Sequence, residues 1–283
     1  MIDLAECPIA DPRIAALLSP LRQVLGEVLT PKAACDVEIV ATEDGIDLLL
    51  VSRISMNGKR RDALIAFAGA HGISRVSFQA DERFPPEVII QFEAPLVRFG
   101  ETSVAFPPGA FLQPSAAGEQ ALREAVQLLV PPGTLRMIEL YAGCGAFSLP
   151  LAAAGFRVAA YEGEAAMIQA MTQAAGRASL GGRLGGNTRD LARQPLRAEE
   201  MNGADLVLLD PPRNGAAGQA ELIAASSVPA VIYVSCNPAT FARDAATLCD
   251  GGYRLRQVIP VDQFVYTPHL ELVALFQREG ADA

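Results

Sequence analysis

The stretch LRMIELYAGCGAFSLPLAAAGFRVAAYE, residues 135–162, decides the fold. It contains two apolar strands, 135–141 and 157–162, separated by a glycine-containing turn and a short helix, 146–154. Strands joined in this way are typical of a right-handed β-α-β unit in a parallel sheet. Further elements continue the alternation: strands at 204–210 and 229–235, and helices at 117–130, 164–176, 217–227 and 239–249. We predict an α/β, Rossmann-like fold with helices on both faces of the sheet.

Residues 1–108 show a different order of elements, which predicts a smaller α+β companion domain beside a larger domain at 109–283. Apolar residues at helical spacing after Asp11-Pro12 predict a helix within residues 1–30. The other predicted elements are strands at 37–41 and 46–51, a helix at 61–70, a strand at 74–79 and a hairpin of 88–92 with 95–106. In the larger domain, 174–186 is predicted to be a loose loop, and 253–260 and 270–277 a terminal hairpin.

Composition excludes several classes of protein. Hydrophobic residues make up 51% and charged residues 19% of 283, which argues against a disordered chain or a coiled coil. No apolar run reaches about 18 residues and the N-terminus is acidic, so we expect a soluble protein without a signal peptide. The net charge of −9 disfavours long-range attraction of nucleic acid, although a local basic patch such as 59–61 stays open. Five scattered cysteines favour the cytoplasm and predict no metal site.

The turn after the first strand of the larger domain carries a candidate cofactor site. Ligands of open parallel sheets bind beyond the carboxyl ends of the strands. Gly143 and Gly145 allow a tight turn there, but Ser148 stands where a dinucleotide loop has its third glycine. Glu162 ends the next strand, where a carboxylate can bind ribose hydroxyls, and Asp190 follows the expected third strand. This pattern favours S-adenosylmethionine over a dinucleotide; an ordinary turn followed by a solvated glutamate is the alternative.

Two later strands bring reactive side chains to the same edge. One ends in Asp210-Pro211-Pro212-Arg213, a stiff loop with a carboxylate and a guanidinium, and the next leads into Cys236-Asn237-Pro238. A cysteine after an apolar strand is commonly a packing residue. Cys236, however, lies just before a helix N-terminus, whose dipole favours a thiolate. We therefore predict a nucleophilic thiolate at Cys236.

These motifs resemble the RNA 5-methyluridine methyltransferase family, which methylates uridine carbon 5 in transfer or 23S ribosomal RNA. The resemblance rests first on DPPRNG at 210–215 and YVSCNPATFARD at 233–244. Three further segments agree: FLQPSAAGEQAL at 111–122, ELYAGCGAFSLPLA at 139–152 and DQFVYTPHLELVALF at 262–276. Together they cover residues from about 100 to 277.

The resemblance implies a class I S-adenosylmethionine-dependent methyltransferase and a role for each matching residue. Cys236 corresponds to the nucleophile that adds to uracil carbon 6 and so activates carbon 5 toward the methyl group. Glu271 corresponds to the base that then removes the carbon-5 proton, although its alternation with apolar neighbours is also typical of a solvent-facing strand position. The cofactor matches are Gln113, Tyr141, Glu162, Asp190 and Asp210, beside Gly143 and Gly145 of the turn, and the substrate matches are Phe111 and Arg213.

Family members also commonly carry an N-terminal OB-like (TRAM) domain and four cysteines that bind an iron–sulfur cluster. The sequence shows neither, since Cys7 corresponds to the last cluster ligand without its partners, so we expect a truncated or naturally shortened member. Adenine amino methylation fits less well, because Arg213 stands where an aromatic residue is expected. Enzymes that methylate cytosine carbon 5 in RNA carry a cysteine in the corresponding loop, and residues 210–215 contain none, so this alternative also fits less well.

A non-catalytic RNA- or S-adenosylmethionine-binding protein, or an assembly protein with a relict site, remains the alternative from another class. The acidic charge favours it, whereas Cys236 and Glu271 oppose it, because a pure binder has no physical need of either. We expect RNA as the partner, and neither DNA nor a membrane.

Overall fold

A computed structural model describes residues 7–81, 83–264 and 266–278 of the chain. Two compact units make up the protein. Unit 1 contains Met1–Arg98 and Ala105–Ala110, and unit 2 contains Phe99–Val104 and Phe111–Ala283. Among the described residues, no helix combines the length and the hydropathy that crossing a bilayer requires.

Unit 1 is a four-stranded sheet with two helices. Its elements are α1 (Pro12–Val28), β1 (Asp36–Thr42), β2 (Gly45–Val51), α2 (Gly58–Ala70), β3 (Ile73–Gln79) and β4 (Glu87–Gln91). The strand order is β1-β2-β3-β4, with a parallel pair only between β2 and β3 among these strands. Buried Leu48, Leu64 and Val76 contribute to one apolar core. The paired strands β2 and β3 also carry a buried ion pair, with 2.6 Å between Arg75 Nη2 and Asp47 Oδ2.

One prediction for this region is confirmed and one needs correction. The helix predicted after Asp11-Pro12 begins at Pro12, because Asp11 caps it by accepting the N–H of Arg13; residues 1–6 lie outside the described residues. The hairpin predicted between 88–92 and 95–106 is wrong, since β4 pairs with β3. Residues 95–106 instead contain their own hairpin, β5 (Leu96–Phe99) with β6 (Thr102–Ala105), which turns at Gly100 with a φ of +60°.

Unit 2 alternates strands and helices along the chain. Its helices are α3 (Ala116–Leu129), α4 (Ser148–Ala153), α5 (Ala165–Arg177), α6 (Ala217–Ala224) and α7 (Pro238–Asp250), with a 3₁₀ helix at Ala198–Met201. Its strands are β7 (Arg136–Leu140), β8 (Arg157–Glu162), β9 (Leu184–Thr188), β10 (Leu206–Leu209), β11 (Ala230–Ser235), β12 (Tyr253–Val261) and β13 (Glu271–Arg278).

These strands form one sheet in the order β12-β13-β11-β10-β7-β8-β9. The five strands from β11 to β9 are parallel to one another, and β10 and β11 are buried along their whole length. Continuous burial is expected of strands that helices cover on both faces. The α/β, Rossmann-like prediction is therefore confirmed. Leu209 pairs with Leu140 and with Tyr233, so the carboxyl ends of β7, β10 and β11 meet at one edge.

The predicted terminal hairpin is also confirmed, and it joins the sheet beside β11. β13 runs antiparallel to both β11 and β12, with Ser235 opposite Leu272 and Val261 opposite Glu271. Because β13 is antiparallel, it starts at the edge where the parallel strands end. Glu271 is thereby placed next to the residue that follows Ser235, which is Cys236.

The loose loop predicted at 174–186 is wrong at both of its ends. α5 continues to Arg177, because alanine is a strong helix former and Ala174 is buried, and β9 begins at Leu184. A Cβ on Gly186 would lie 2.7 Å from Thr172 Cγ2, so glycine is what allows α5 to pack closely on β9.

Candidate active site

The turn after β7 combines positive φ angles with tight packing. Tyr141, Gly143 and Gly145 have φ angles of 63°, 54° and 92°. A Cβ on Gly145 would lie 2.7 Å from Met171 Cγ, so both backbone and packing require glycine there. A Cβ on Gly143 would meet no heavy atom within 4 Å. The turn is therefore packed closely against Met171 at Gly145 and leaves space beside Gly143.

Glu162 is bound to this turn rather than simply solvated. Its Oε2 accepts the N–H of Gly143 at 3.0 Å, and its Oε1 accepts the N–H of Glu164 at 3.1 Å. A carboxylate oxygen can accept a second hydrogen bond, so Glu162 keeps capacity for a ligand. Burial, followed by the charges of Asp244, Glu162 and Asp190, raises the pKa of Tyr141 to about 12. Asp190 follows β9, as predicted, and its Oδ1 accepts the N–H of Ala192 at 3.1 Å.

Glu139 is a residue of this site that the sequence analysis missed. It lies in β7 with 1% of its surface exposed, and the hydroxyl of Ser148 donates to its Oε2. Among the described residues, its Oε1 is buried without a hydrogen-bond partner. Burial, and then the charges of Asp210 and Glu162, raise the pKa of Glu139 to about 8 against the opposing hydrogen bond from Ser148. A glutamate within an otherwise buried apolar strand is the signal that could have identified it.

Cys236 is half-buried immediately after β11. Burial raises the pKa of its thiol most, the charges of Glu271 and Asp210 raise it further, and Arg213 opposes them. These effects oppose the thiolate predicted at Cys236, which stays a prediction. The N-terminus of α7 follows Cys236 as expected.

Asp210 and Glu271 share this environment. Burial and the charge of Glu271 raise the pKa of Asp210 to about 7. Glu271 is 4% exposed, and burial raises its pKa while a hydrogen bond from Gln263 lowers it. The solvent-facing alternative for Glu271 is therefore wrong, because β13 lies inside the sheet between β11 and β12.

Residues of α7 hold the loop after β10. Asn237 Nδ2 donates to the carbonyl oxygen of Arg213 at 2.9 Å, and the hydroxyl of Thr240 donates to the same oxygen at 3.2 Å. Asn237 also caps α7 by accepting the N–H of Ala239. The backbone of Arg213 is thus bound to the turn that carries Cys236, while the Arg213 side chain remains exposed.

A buried carboxylate completes this connection. Asp244 Oδ2 accepts the N–H of Ala216 at 2.7 Å and the hydroxyl of Tyr233 at 2.6 Å. A Cβ on Gly215 would lie 2.7 Å from the same oxygen, and Gly215 has a φ of +74°. Asp244 therefore positions the end of the loop that begins at Asp210.

The segment before α3 supplies two further predicted residues. Gln113 Oε1 accepts a hydrogen bond from Gln263 Nε2 at 2.7 Å, and Gln263 also hydrogen-bonds Glu271. Gln113 is thus connected to the predicted base. Phe111 is 72% exposed and lies two residues before Gln113 in the chain.

The basic run of unit 1 has contacts of its own. The guanidinium of Arg60 donates to the carbonyl oxygens of Val28 and Ser55, and Arg61 forms an ion pair with Glu87 at 2.8 Å. Arg60 and Arg61, two of the three cationic side chains in this run, therefore bind other residues of unit 1.

Comparison with known proteins agrees with this geometry. Residues 189–279 match the family model of tRNA (uracil-5-)-methyltransferases. An uncharacterized RNA methyltransferase of Mesorhizobium japonicum is 39% identical over 98% of this chain and 66% of its own length. The 23S rRNA (uracil(1939)-C(5))-methyltransferase RlmD of Aeromonas hydrophila is 35% identical over 99% of this chain and 63% of its own length.

A solved structure shows the same fold. The Pyrococcus abyssi tRNA (uracil-54, C5)-methyltransferase in complex with S-adenosyl-L-homocysteine has a TM-score of 0.76 at 19% identity, over 98% of this chain and 69% of that one.

The chain spans slightly less than two thirds of the first curated relatives that it matches, at 65–66% of their length. The matches to these relatives extend over nearly the whole chain, and the family model covers the segment that contains Asp210, Cys236 and Glu271. The chain belongs to the RNA (uracil-5-)-methyltransferase family.

Proposed function

We propose that the chain carries the catalytic domain of an S-adenosylmethionine-dependent enzyme that forms 5-methyluridine in ribosomal or transfer RNA. The observation that carries the proposal is the convergence of Cys236, Asp210 and Glu271 at one sheet edge, where both carboxylates act on the thiol. The relatives support RNA as the substrate, since their names specify uracil carbon 5 in 23S rRNA and in tRNA.

The proposed cofactor site lies at the ends of β7, β8 and β9. The space beside Gly143 and the remaining acceptor capacity of Glu162 fit a ligand with ribose hydroxyls. The carboxylates Glu139, Glu162 and Asp210 fit a positively charged sulfonium, because the charges of Asp210 and Glu162 add to burial in raising the pKa of Glu139 in its absence. When bound, S-adenosylmethionine supplies an electrophilic methyl group. The residues proposed to hold it are Gln113, Tyr141, Gly143, Gly145, Glu162, Asp190 and Asp210.

Cys236 is the proposed nucleophile. Its sulfur forms a bond to uracil carbon 6, and the electron pair of the carbon 5–carbon 6 double bond moves toward the carbonyl at carbon 4, which makes carbon 5 nucleophilic. Burial raises the pKa of the thiol, so its proton is released as the bond to carbon 6 forms and passes to solvent, which the half-buried sulfur still reaches. The charge of Arg213 favours that loss.

Glu271 is the proposed base. Once carbon 5 carries the methyl group, Glu271 takes the proton from carbon 5. The electron pair of that C–H bond re-forms the ring double bond and expels the Cys236 sulfur from carbon 6. Burial raises the pKa of Glu271, which makes it a stronger proton acceptor than an exposed glutamate.

The substrate uridine must leave its stack to reach Cys236, because the thiol is half-buried at the sheet edge. Exposed Phe111 supplies an aromatic surface on which a base can stack, and Arg213 supplies a guanidinium for the uracil or a neighbouring phosphate. We propose that residues 109–283 perform the chemistry and that residues 1–108 add RNA contacts. The free cysteines of the described residues support a cytoplasmic location.

The test is nucleoside mass spectrometry of unmodified total RNA after incubation with the protein and S-adenosylmethionine. We expect new 5-methyluridine with the unchanged protein and none with Cys236→Ala. Cys249→Ala is the matched control, because Cys249 is an exposed cysteine and should be dispensable.

A second measurement separates the enzyme from a binding protein with a relict site. RNA containing 5-fluorouridine should form a covalent adduct with the protein, because fluorine at carbon 5 blocks proton removal and traps the sulfur–carbon bond. Absence of both product and adduct, with RNA and cofactor still bound, would establish the binding protein instead.

A further inference from the structure

Gln263 lies in the segment between β12 and β13 and connects two predicted site residues. Its side chain is buried at 8% exposure. Its Nε2 donates to Gln113 Oε1 at 2.7 Å. Val261, two residues before Gln263, pairs with Glu271 across the β12–β13 hairpin, and a hydrogen bond from Gln263 lowers the pKa of the Glu271 carboxyl. An amide nitrogen carries two hydrogens, so Nε2 can serve both acceptors. The connection joins residues that are more than 150 positions apart in the sequence.

Helix α3 is shaped around this side chain. A Cβ on Gly118 would lie 2.3 Å from Gln263 Oε1 and 2.6 Å from Gln263 Cβ. The absence of a side chain at Gly118 therefore lets Gln263 lie against the helix. Among the described residues, Gln263 Oε1 is buried without a hydrogen-bond partner. Burial of an unpaired oxygen is unfavourable, so the hydrogen bond from Nε2 to Gln113 and the packing on α3 favour this orientation of the amide.

We propose that Gln263 is a positioning residue that orients the Glu271 carboxylate and couples it to Gln113. This inference rests on the proposed function, in which Glu271 is the base and Gln113 contacts the cofactor. A donated hydrogen bond favours the ionised carboxylate, which is the form that accepts a proton. Because Gln113 Oε1 is engaged with Gln263, the Gln113 amide nitrogen is left to donate to a ligand. One buried amide thus sets the orientation of both side chains.

Gln263→Met tests the proposal, since methionine has a similar length and volume but no amide. We expect kcat to fall by about tenfold to a hundredfold, as for small misplacement of a catalytic group. The KM for S-adenosylmethionine should rise several-fold, because Gln113 loses its partner. The acidic limb of the pH–rate profile should move to higher pH, because the pKa of Glu271 rises without the donor. Gln257→Met on β12 is the matched control, since Gln257 is exposed.

A readout that needs no activity accompanies the kinetics. Carbon-13 NMR of glutamate carboxyl groups, with Glu271→Gln to assign the resonance, should show Glu271 titrating at higher pH in Gln263→Met. Gly118→Ala should reproduce this change, because the added methyl displaces Gln263 without altering Glu271 or Gln113. This second variant also serves if the methionine variant does not fold.

The outcomes separate the two proposals. If the unchanged protein makes no 5-methyluridine, the proposed function fails, whereas the titration still measures whether Gln263 acts on Glu271. An unchanged Glu271 titration and an unchanged acidic limb in both variants would overturn the positioning role, even if activity falls.

Discussion

Replacing Glu139 by glutamine is expected to stabilise the protein at neutral pH. Glu139 is 1% exposed in β7, and burial is the main cause that raises its pKa from 4.5 to about 8. The unfolded chain ionises this side chain above its ordinary pKa, while the folded protein keeps it neutral up to about pH 8. Unfolding therefore releases a proton between these two values, and the free energy of unfolding falls as pH rises through that window.

The size of the effect follows from the two pKa values. Each pH unit within the window removes about 1.4 kcal/mol, so the penalty is about 3 kcal/mol at pH 7 and below about 1 kcal/mol at pH 5. Glutamine is neutral at both pH values and keeps an oxygen that can accept the Ser148 hydroxyl. The N–H groups that glutamine adds change the free energy of unfolding by an amount that does not depend on pH. The gain from Glu139→Gln should therefore be about 2–3 kcal/mol larger at pH 7 than at pH 5.

Urea unfolding of the ligand-free protein, followed by circular dichroism at both pH values, measures this difference. Glu200→Gln is the matched control. The hydrogen bond from Arg189 lowers the pKa of Glu200 to about 2, so its contribution is present above the unfolded pKa and is lost only as pH falls below it. Its substitution should therefore have the same effect at pH 5 and pH 7. An equal change at both pH values for Glu139→Gln would show that Glu139 is ionised in the folded protein and refute the reasoning.

Three other predictions concern the same sheet edge. Asp210→Asn removes a charge that raises the pKa of Cys236, so iodoacetamide should alkylate this thiol about threefold to tenfold faster at pH 8; an unchanged rate would mean that the charge of Asp210 does not act on the thiol. Gly145→Ala should lower the free energy of unfolding by about 2 kcal/mol or more, and Gly143→Ala by less, because only the first meets a side chain as well as positive φ; equal losses in thermal unfolding would contradict this. Asp244→Ala leaves two buried donors unpaired and should cost about 3 kcal/mol, with faster hydrogen exchange at the Ala216 amide; protection equal to that of the unchanged protein would exclude the proposed support of the loop.

Local patterns were sufficient for most of the architecture of unit 2. Apolar runs predicted six of the seven strands of its sheet, all but β9, and the glycines after β7 predicted the turn, because each depends on residues adjacent in the sequence. In a parallel sheet the carboxyl ends of strands meet at one edge, so Asp210 and Cys236 could be placed together without coordinates. Local patterns failed where packing on another element decided the outcome. Gly186 is in a strand because α5 packs against it, and β4 pairs back with β3 instead of forward.

The sequence by itself determined the α/β order of unit 2, the glycine turn and which side chains are candidates for the chemistry. Only the tertiary structure decided the surroundings of these candidates. Glu271 is buried because β13 enters the sheet antiparallel beside β11, and that pairing joins segments that local patterning treats separately. The pKa of the Cys236 thiol is raised because burial and the charges of Glu271 and Asp210 act on it through space, which a sequence motif does not encode. Gln263 contacts Gln113 and Glu271 because three distant segments converge, and protonation and orientation depend on such convergence more than on neighbours along the chain.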